Sequence, residues 1–410
     1  MSKPISLAYG DTVQTAPLPP GAVARDATTP GHRPTLAWDK VIAELRCAVR
    51  EAIHSRRRST SRVLIVTVDD TRPSPRQLLE PLREELAATG VSTDVLVALG
   101  RHRPLSHERL VRHLGTAEIS QTVWDDSTVP LRAGMTLRGT PIEIHPRLGE
   151  ADLVVLLGFV EPTYLAGFSG GPKLVVPGCA SPITISFNHS LLFLCGPLPG
   201  EIEGNEVYAD LCEAAERIVK DPLLVSVPLN SAGAPTGIMV GGWNTHLVAA
   251  AACREGLSVA QPDAFDVVIA SPGGVPYDVD MVQAKKALPA ATRAVKPGGT
   301  VILLARCPQG WGPVQPDRAS LVPDGEGRLT WLAQHRYQGH VKAEWAALSP
   351  AVMFWHVRRK ARLVIVTDLR DELEGTVAEG ASSLAEALDL LPDAGRGANI
   401  GFIAEGRRAV

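Results

Sequence analysis

The chain has 410 residues, a formal net charge of −3, 45% hydrophobic and 21% charged residues. That length exceeds one ordinary core and points to two domains of soluble globular type. The mixed charges leave no overall basic field for nucleic acid or an anionic membrane, and no stretch reaches the length of a membrane span.

Six cysteines are scattered at 47, 179, 195, 212, 253 and 307, with no Cys-x-x-Cys pair. A structural zinc site or redox dithiol is therefore not expected, and reduced thiols fit better than a disulfide framework. Residues 1–15 lack the apolar region of a secretory signal, so a cytoplasmic location is expected.

Residues 11–35 are rich in Pro, Thr and Gly and predict an irregular arm. Helical periodicity begins at Trp38 in "WDKVIAELRCAVREAIHSRRR", and Arg56-Arg57-Arg58 read as a basic helix end rather than a nucleic-acid patch. "RVLIVTV" (62–68) is a predicted strand and "PRQLLEPLREELAATG" a helix. "TDVLVAL" (93–99) and "ADLVVLLGF" (151–159) are further strands. The pattern restarts after about residue 260. "FDVVIAS" and "GTVILLA" are strands around the helix "VDMVQAKKALPAATRAV", followed by the strand "RLVIVTDL" and the helix "SSLAEALDLL". Strands alternating with helices predict an α/β fold: two α/β domains with mainly parallel sheets and a cleft for cofactor and substrate between them. The expected division is 1–260 for a cofactor-binding domain and 264–390 for a second one. Residues 395–410 are one more predicted strand that returns to the first domain.

Four loops after predicted strands, "VDDTRPSP", "VALGRHRPLSHE", "LLGFVEPTYLAGFSGGPK" and "IASPGGVPYD", carry the polar and glycine-rich residues. In an open parallel sheet such loops share one edge, where ligands bind. In "VDDTRPSP", an Asp or Thr caps the next helix, or Asp69 accepts from a ribose hydroxyl while Thr71 and Arg72 hold a phosphate. In "ALGRHRP", His102 is either an exposed structural histidine or a proton-transfer group. In "GFVEPTYLAGFSGGPK", Ser169, Gly170, Gly171 and Lys173 form either a plain turn or an anion cradle, without P-loop spacing. In "TISFNH", His189 is a core histidine or a metal ligand with no second ligand nearby. Gln283 and Lys286, three apart in "DMVQAKKAL", share a helical face that points to solvent or into the cleft.

In order, "DDTRP", "ALGRHRP", "GFVEPTYLAGFSGGPK", "TISFNH", "EGN" and "SPGGVPYDVDMVQAKKAL" resemble the lactate racemase family, the nickel-pincer nucleotide-dependent 2-hydroxyacid racemases and epimerases. The motifs span roughly residues 62–312. The resemblance implies a pyridinium-3,5-bisthiocarboxylic acid mononucleotide nickel complex joined covalently to Lys173. His189 would complete the nickel coordination, and the cofactor's own donors would explain the missing partner ligands. Asp69, Thr71 and Arg72 would hold the ribose and phosphate, with Ser169, Gly170 and Gly171 in the tethering segment. The implied chemistry is proton-coupled hydride transfer that inverts a carbinol carbon.

His102 matches one of the family's two bases. The second, in the family's lactate enzymes, is a histidine at the position held here by Thr163, which is no base near neutral pH. Tyr164, Glu161 or the substrate's own hydroxyls are the candidate replacements. Gln283 and Lys286 match a pair that contacts substrate. The expected activity is thus a racemase or epimerase of a 2-hydroxyacid or a polyhydroxylated acid or sugar. The alternative is a degenerate member that binds the nickel nucleotide with little turnover. An ordinary nicotinamide dehydrogenase is disfavoured because no G-x-G-x-x-G follows any strand. A small hydroxyacid or sugar and the cofactor-making enzymes are the implied partners, with a homodimer as an open expectation.

Overall fold

The computed structural model describes residues 4–56, 61–312, 314–335 and 345–410. Arg57 and Arg58 of the basic cluster lie outside the described residues. Arg56 pairs with Asp221 at 2.9 Å.

Two six-stranded sheets organise the chain. The first runs Met239–Gly241, Leu223–Pro228, Leu153–Val160, Arg62–Val68, Ser92–Ala98, Ser120–Gln121, parallel except for the antiparallel Met239–Gly241 edge. Leu153–Val160 is buried at every position, and Arg62–Val68 at every position after the first. Such unbroken apolar runs are what a parallel sheet covered on both faces requires. The helix Trp38–His54 buries Val41, Leu45 and Val49, one stripe at helical spacing, and Arg76–Ala87 buries Leu78, Leu79, Leu82 and Leu86.

The second sheet is parallel throughout, in the order Glu379–Ala381, Arg362–Val366, Val295–Leu304, Phe265–Ala270, Asn399–Ile403, Val23–Asp26. Two expectations are corrected here. The strand Asn399–Ile403 does not return to the first sheet but inserts beside Phe265–Ala270. The tail beyond it reaches the loop after Leu153–Val160 of the first sheet, where Arg408 Nε lies 3.2 Å from Glu161. The arm over 11–35 is not irregular either. Ile5–Tyr9 and Thr12–Ala16 form a hairpin, and Val23–Asp26 becomes the edge of the second sheet. An edge strand needs only one hydrogen-bonding partner, so its sequence carries little of the apolar patterning by which inner strands are recognised.

The helix expected over "VDMVQAKKALPAATRAV" is interrupted. It consists of Met281–Ala284, a 3₁₀ turn at Lys285–Ala287, and Leu288–Ala294. Pro289 has no N–H for the carbonyl four residues back, at Lys285, and its ring crowds that carbonyl. Among the described residues, no helix is long and apolar enough to cross a membrane.

Each sheet has one point where the strand order reverses direction, and there the loops leaving adjacent strands diverge and open a crevice. In the first sheet it lies between Arg62–Val68 and Leu153–Val160; in the second, between Phe265–Ala270 and Asn399–Ile403. The loops from both points line one cavity.

Candidate active site

The cavity, of about 250 Å³, collects most of the residues expected from sequence: Asp69, Thr71, Arg72, His102, Thr163, Ser169, Gly170, Lys173, His189, Gln283 and Lys286 all line it. Gly171 does not. Five lysine and arginine side chains (Arg72, Arg101, Lys173, Lys286, Arg407) face two carboxylates (Asp69, Glu161). The wall is therefore suited to anions.

Asp69 follows the strand Arg62–Val68 and is buried. One oxygen accepts from Thr71, at 3.1 Å from the backbone N–H and 2.6 Å from the hydroxyl. The other lies 2.5 Å from His102 Nδ1. Burial opposes its charge, but the His102 ring, the Thr71 hydroxyl and Arg72 outweigh that and hold the carboxyl well below the usual range. Both oxygens are thus engaged inside the chain, which makes Asp69 the group that orients His102. The helix that follows begins only at Arg76, with Pro75 in the capping position, so neither Asp69 nor Thr71 caps it.

Lys173 sits in a 3₁₀ turn, Gly171–Leu174. Gly170 has φ +78°, and a Cβ there would lie 2.9 Å from the Phe159 carbonyl oxygen. Gly171 has φ +50°, and a Cβ there would lie 2.5 Å from the buried His246 ring. The two glycines let the turn press against strand and ring while Lys173 faces the cavity. Ser169 is committed elsewhere: its hydroxyl donates to Phe159 O (2.8 Å) and accepts from Glu161 N–H (2.9 Å). Burial, and then the charge of Arg72, lower the Lys173 pKa from 10.5 to about 7.

His189 lies near the end of the helix Pro182–Ser190. Burial, and then Lys173 and Lys285, push its pKa down to about 3, so the imidazole is neutral. Its Nδ1 is 3.2 Å from Asn188 Oδ1. The Asn of "EGN", Asn205, caps the helix Glu206–Ile218, accepting from Tyr208 N–H at 2.9 Å.

From the second half of the chain, Lys286 Nζ hydrogen-bonds Gln283 Oε1. Burial, followed by Arg72, Lys285 and Lys173, puts its pKa well below the ordinary lysine value. Neighbouring Lys285 is fully buried and donates to Ser349 Oγ at 2.5 Å. Among the described residues the Thr163 hydroxyl accepts a long contact from Ala166 N–H, 3.4 Å. Burial raises the Tyr164 pKa to about 12, and Glu161 faces Arg408 and Arg407. Neither is set up as the base that Thr163 cannot be. Sequence reasoning missed Arg407 and Tyr277, which line the cavity from segments it had assigned elsewhere or passed over as turn.

Residues 9–197 match the family model for the lactate racemase N-terminal domain, and residues 260–408 that for the lactate racemase C-terminal domain. The chain belongs to the lactate racemase family. It is 34% identical over 266 residues to a lactate racemase of Lactiplantibacillus plantarum, a match covering 62% of each chain. It is 32% identical over 287 residues to one of Thermoanaerobacterium thermosaccharolyticum, covering 67% of this chain and 64% of that one. The matches thus span less than two thirds of these lactate racemases' own length. The fold agrees with the lactate racemase apoprotein structure from T. thermosaccharolyticum at a TM-score of 0.81 and 24% identity, covering 100% of this chain and 99% of that one. A Thermotoga maritima protein has the same fold at a TM-score of 0.68 and 18% identity, covering 92% and 98%.

Proposed function

We propose that the chain is a racemase or epimerase that inverts the carbinol carbon of a 2-hydroxyacid or a polyhydroxylated acid or sugar. It would do so with a nickel-pincer nucleotide tethered to Lys173. The observation that carries this reading is the convergence of Lys173, His189, the His102–Asp69 pair and the Gln283–Lys286 pair on one cavity between two switch points.

The residues fit such a cofactor. A lysine with a pKa near 7 is a nucleophilic amine at neutral pH. A neutral imidazole is the form that binds a metal, and Asn188 faces its Nδ1. Among the described residues no group of three His, Cys, Asp or Glu side chains stands close enough to hold a metal, so a nickel ion here would take its remaining donors from the nucleotide. Arg72 lines the same cavity and would meet an anionic group of that nucleotide, whereas Thr71 already gives its N–H and its hydroxyl to Asp69.

When bound, the cofactor supplies a hydride acceptor. The chain's own residues handle the proton. His102, fixed by Asp69, takes the substrate's hydroxyl proton from one side. Lys286, a half-buried amine with lowered basicity held by Gln283, serves as the second proton-transfer group in place of the base that Thr163 lacks. A carrier with little turnover would need neither the His102–Asp69 nor the Gln283–Lys286 pair.

The test is the intact mass and nickel content of the chain co-produced with the cofactor-making enzymes. A covalent adduct with bound nickel is expected, with both lost in Lys173→Ala and nickel alone lost in His189→Ala. An unmodified, metal-free chain, under conditions that load a lactate racemase control, would sink the reading.

A further inference from the structure

The helix Glu206–Ile218 buries Val207, Asp210, Leu211 and Ala214, the spacing of an apolar stripe, yet one member is a carboxylate. Asp210 is fully buried. Thr136 Oγ1 donates to its Oδ1 at 2.5 Å, and Thr140 Oγ1 and Asn188 Nδ2 donate to its Oδ2, both at 2.8 Å. The two threonines stand in the turn between the strands Leu131–Met135 and Pro141–Ile144. All three donors are neutral side chains. They offset only part of the cost of burying a carboxylate, and an apolar residue would fill the stripe at less. What the carboxylate adds is direction. With three donors aimed at its two oxygens it acts only as an acceptor, and it fixes which way each donor points.

Asn188 passes that direction on. It lies in the helix Pro182–Ser190, four residues after Thr184, on the buried face. His189, one residue further, turns about 100° away and lines the cavity. Both Nδ2 hydrogens of Asn188 are spent on acceptors, Asp210 Oδ2 at 2.8 Å and the Val207 carbonyl at 3.1 Å. The amide is thereby oriented with its nitrogen toward Asp210 and its oxygen toward His189, whose Nδ1 is 3.2 Å from Oδ1. An amide oxygen cannot donate, so Nδ1 carries the ring proton. In a neutral imidazole the other nitrogen, Nε2, then keeps a free lone pair. A neutral histidine without such a partner favours the opposite tautomer, with the proton on Nε2 and no lone pair there for a metal.

We propose that Asp210 is a positioning residue: acting through Asn188, it holds His189 in the Nδ1–H tautomer and so keeps Nε2 ready to bind a metal in the cavity. The contacts run from the hairpin turn through the helix Glu206–Ile218 to the helix Pro182–Ser190, so the orientation of one ring is set by three separate elements. The metal role rests on the nickel reading above; the tautomer does not.

The tautomer is read first, in the full chain produced without cofactor and labelled with nitrogen-15 histidine. Long-range proton–nitrogen spectra distinguish protonated from unprotonated ring nitrogens, and His189→Gln identifies the signal. Nδ1 should be protonated in the parent; a proton on Nε2 overturns the proposal. Asp210→Ala should move His189 toward the Nε2–H form. Asp210→Asn, whose amide oxygen can still accept from Asn188, should retain most of the parent's pattern. An unchanged tautomer in Asp210→Ala leaves Asp210 a structural role only and overturns the proposal. If that variant fails to fold, Asn188→Ala takes its place, with the same expected shift and the same refutation. The metal is read in chain co-produced with the cofactor-making enzymes and then challenged with EDTA. Asp210→Ala should lose nickel about 10- to 100-fold faster than the parent, with its covalent mass unchanged. Equal nickel retention overturns the metal role and leaves the racemase reading intact. Loss of the covalent mass as well also overturns it, since the network would then support Lys173. A parent with neither adduct nor nickel sinks the nickel reading and the metal role together, while the tautomer result stands apart from both.

Discussion

Replacing Lys173 with methionine should stabilise the chain at neutral pH, and by less as the pH rises. In chain produced without the cofactor, Lys173 is half-buried beside Arg72, and desolvation followed by that charge lowers its pKa from 10.5 to about 7. The unfolded chain carries this lysine at its ordinary value. Between those two values the unfolded state therefore binds a proton that the folded state lacks, and stability rises with pH. The slope approaches about 1.4 kcal/mol per pH unit in mid-window, and it vanishes above the unfolded value and well below the folded one. At pH 7 the burial of this amine opposes folding by about 4 kcal/mol compared with its effect above pH 10.5. Methionine is of similar length and has no charge to desolvate. Urea unfolding of both chains from pH 7 to pH 10 is the assay. The variant should be the more stable by a few kcal/mol at pH 7, with the difference shrinking steadily toward pH 10. A difference that does not change with pH, or a variant less stable than its parent at pH 7, would refute the reasoning. Lys173 would then be an ordinary solvated amine and a poor candidate for covalent attachment.

Asp69→Asn keeps the shape of the group that orients His102 but removes its charge. Cofactor mass and nickel should be retained while turnover falls by about 100-fold or more, and an unchanged rate would remove the pair as the base. Gly171→Ala places a methyl group against the His246 ring at a positive φ. Thermal unfolding should show a loss on the order of 1–3 kcal/mol, and no loss would mean the turn can rearrange freely. Thr163→His restores the family's imidazole and should add lactate racemisation, measured by chiral chromatography. No gain would mean that pocket shape rather than the missing base sets specificity.

The sheets and half of the site were legible in the sequence for one reason. Strands buried on both faces must be continuous apolar runs, so "RVLIVTV", "ADLVVLLGF" and "FDVVIAS" announce themselves, and the loops after them are where ligands gather. Elements at the margins were not legible. Val23–Asp26 pairs on one side only, and Asn399–Ile403 is so short that its partner sheet cannot be read from its own residues. The interruption at Lys285–Ala287 was foreshadowed by Pro289, but its consequence depends on packing: Lys285 turned into the core and Lys286 into the cavity.

The sequence by itself determined the α/β class, the order of the strands along the chain, and which residue types stand in the loops after them. Each of these follows from local patterning, where side-chain period and turn chemistry act over a few residues. The tertiary structure decided which loops meet and in what state their side chains are held. The desolvation of Lys173 and His189 and the contact between Asp69 and His102 arise where loops from separate strands close on one cavity. Desolvation and pairing depend on what surrounds a group in space, and neither can be read from its neighbours in the chain.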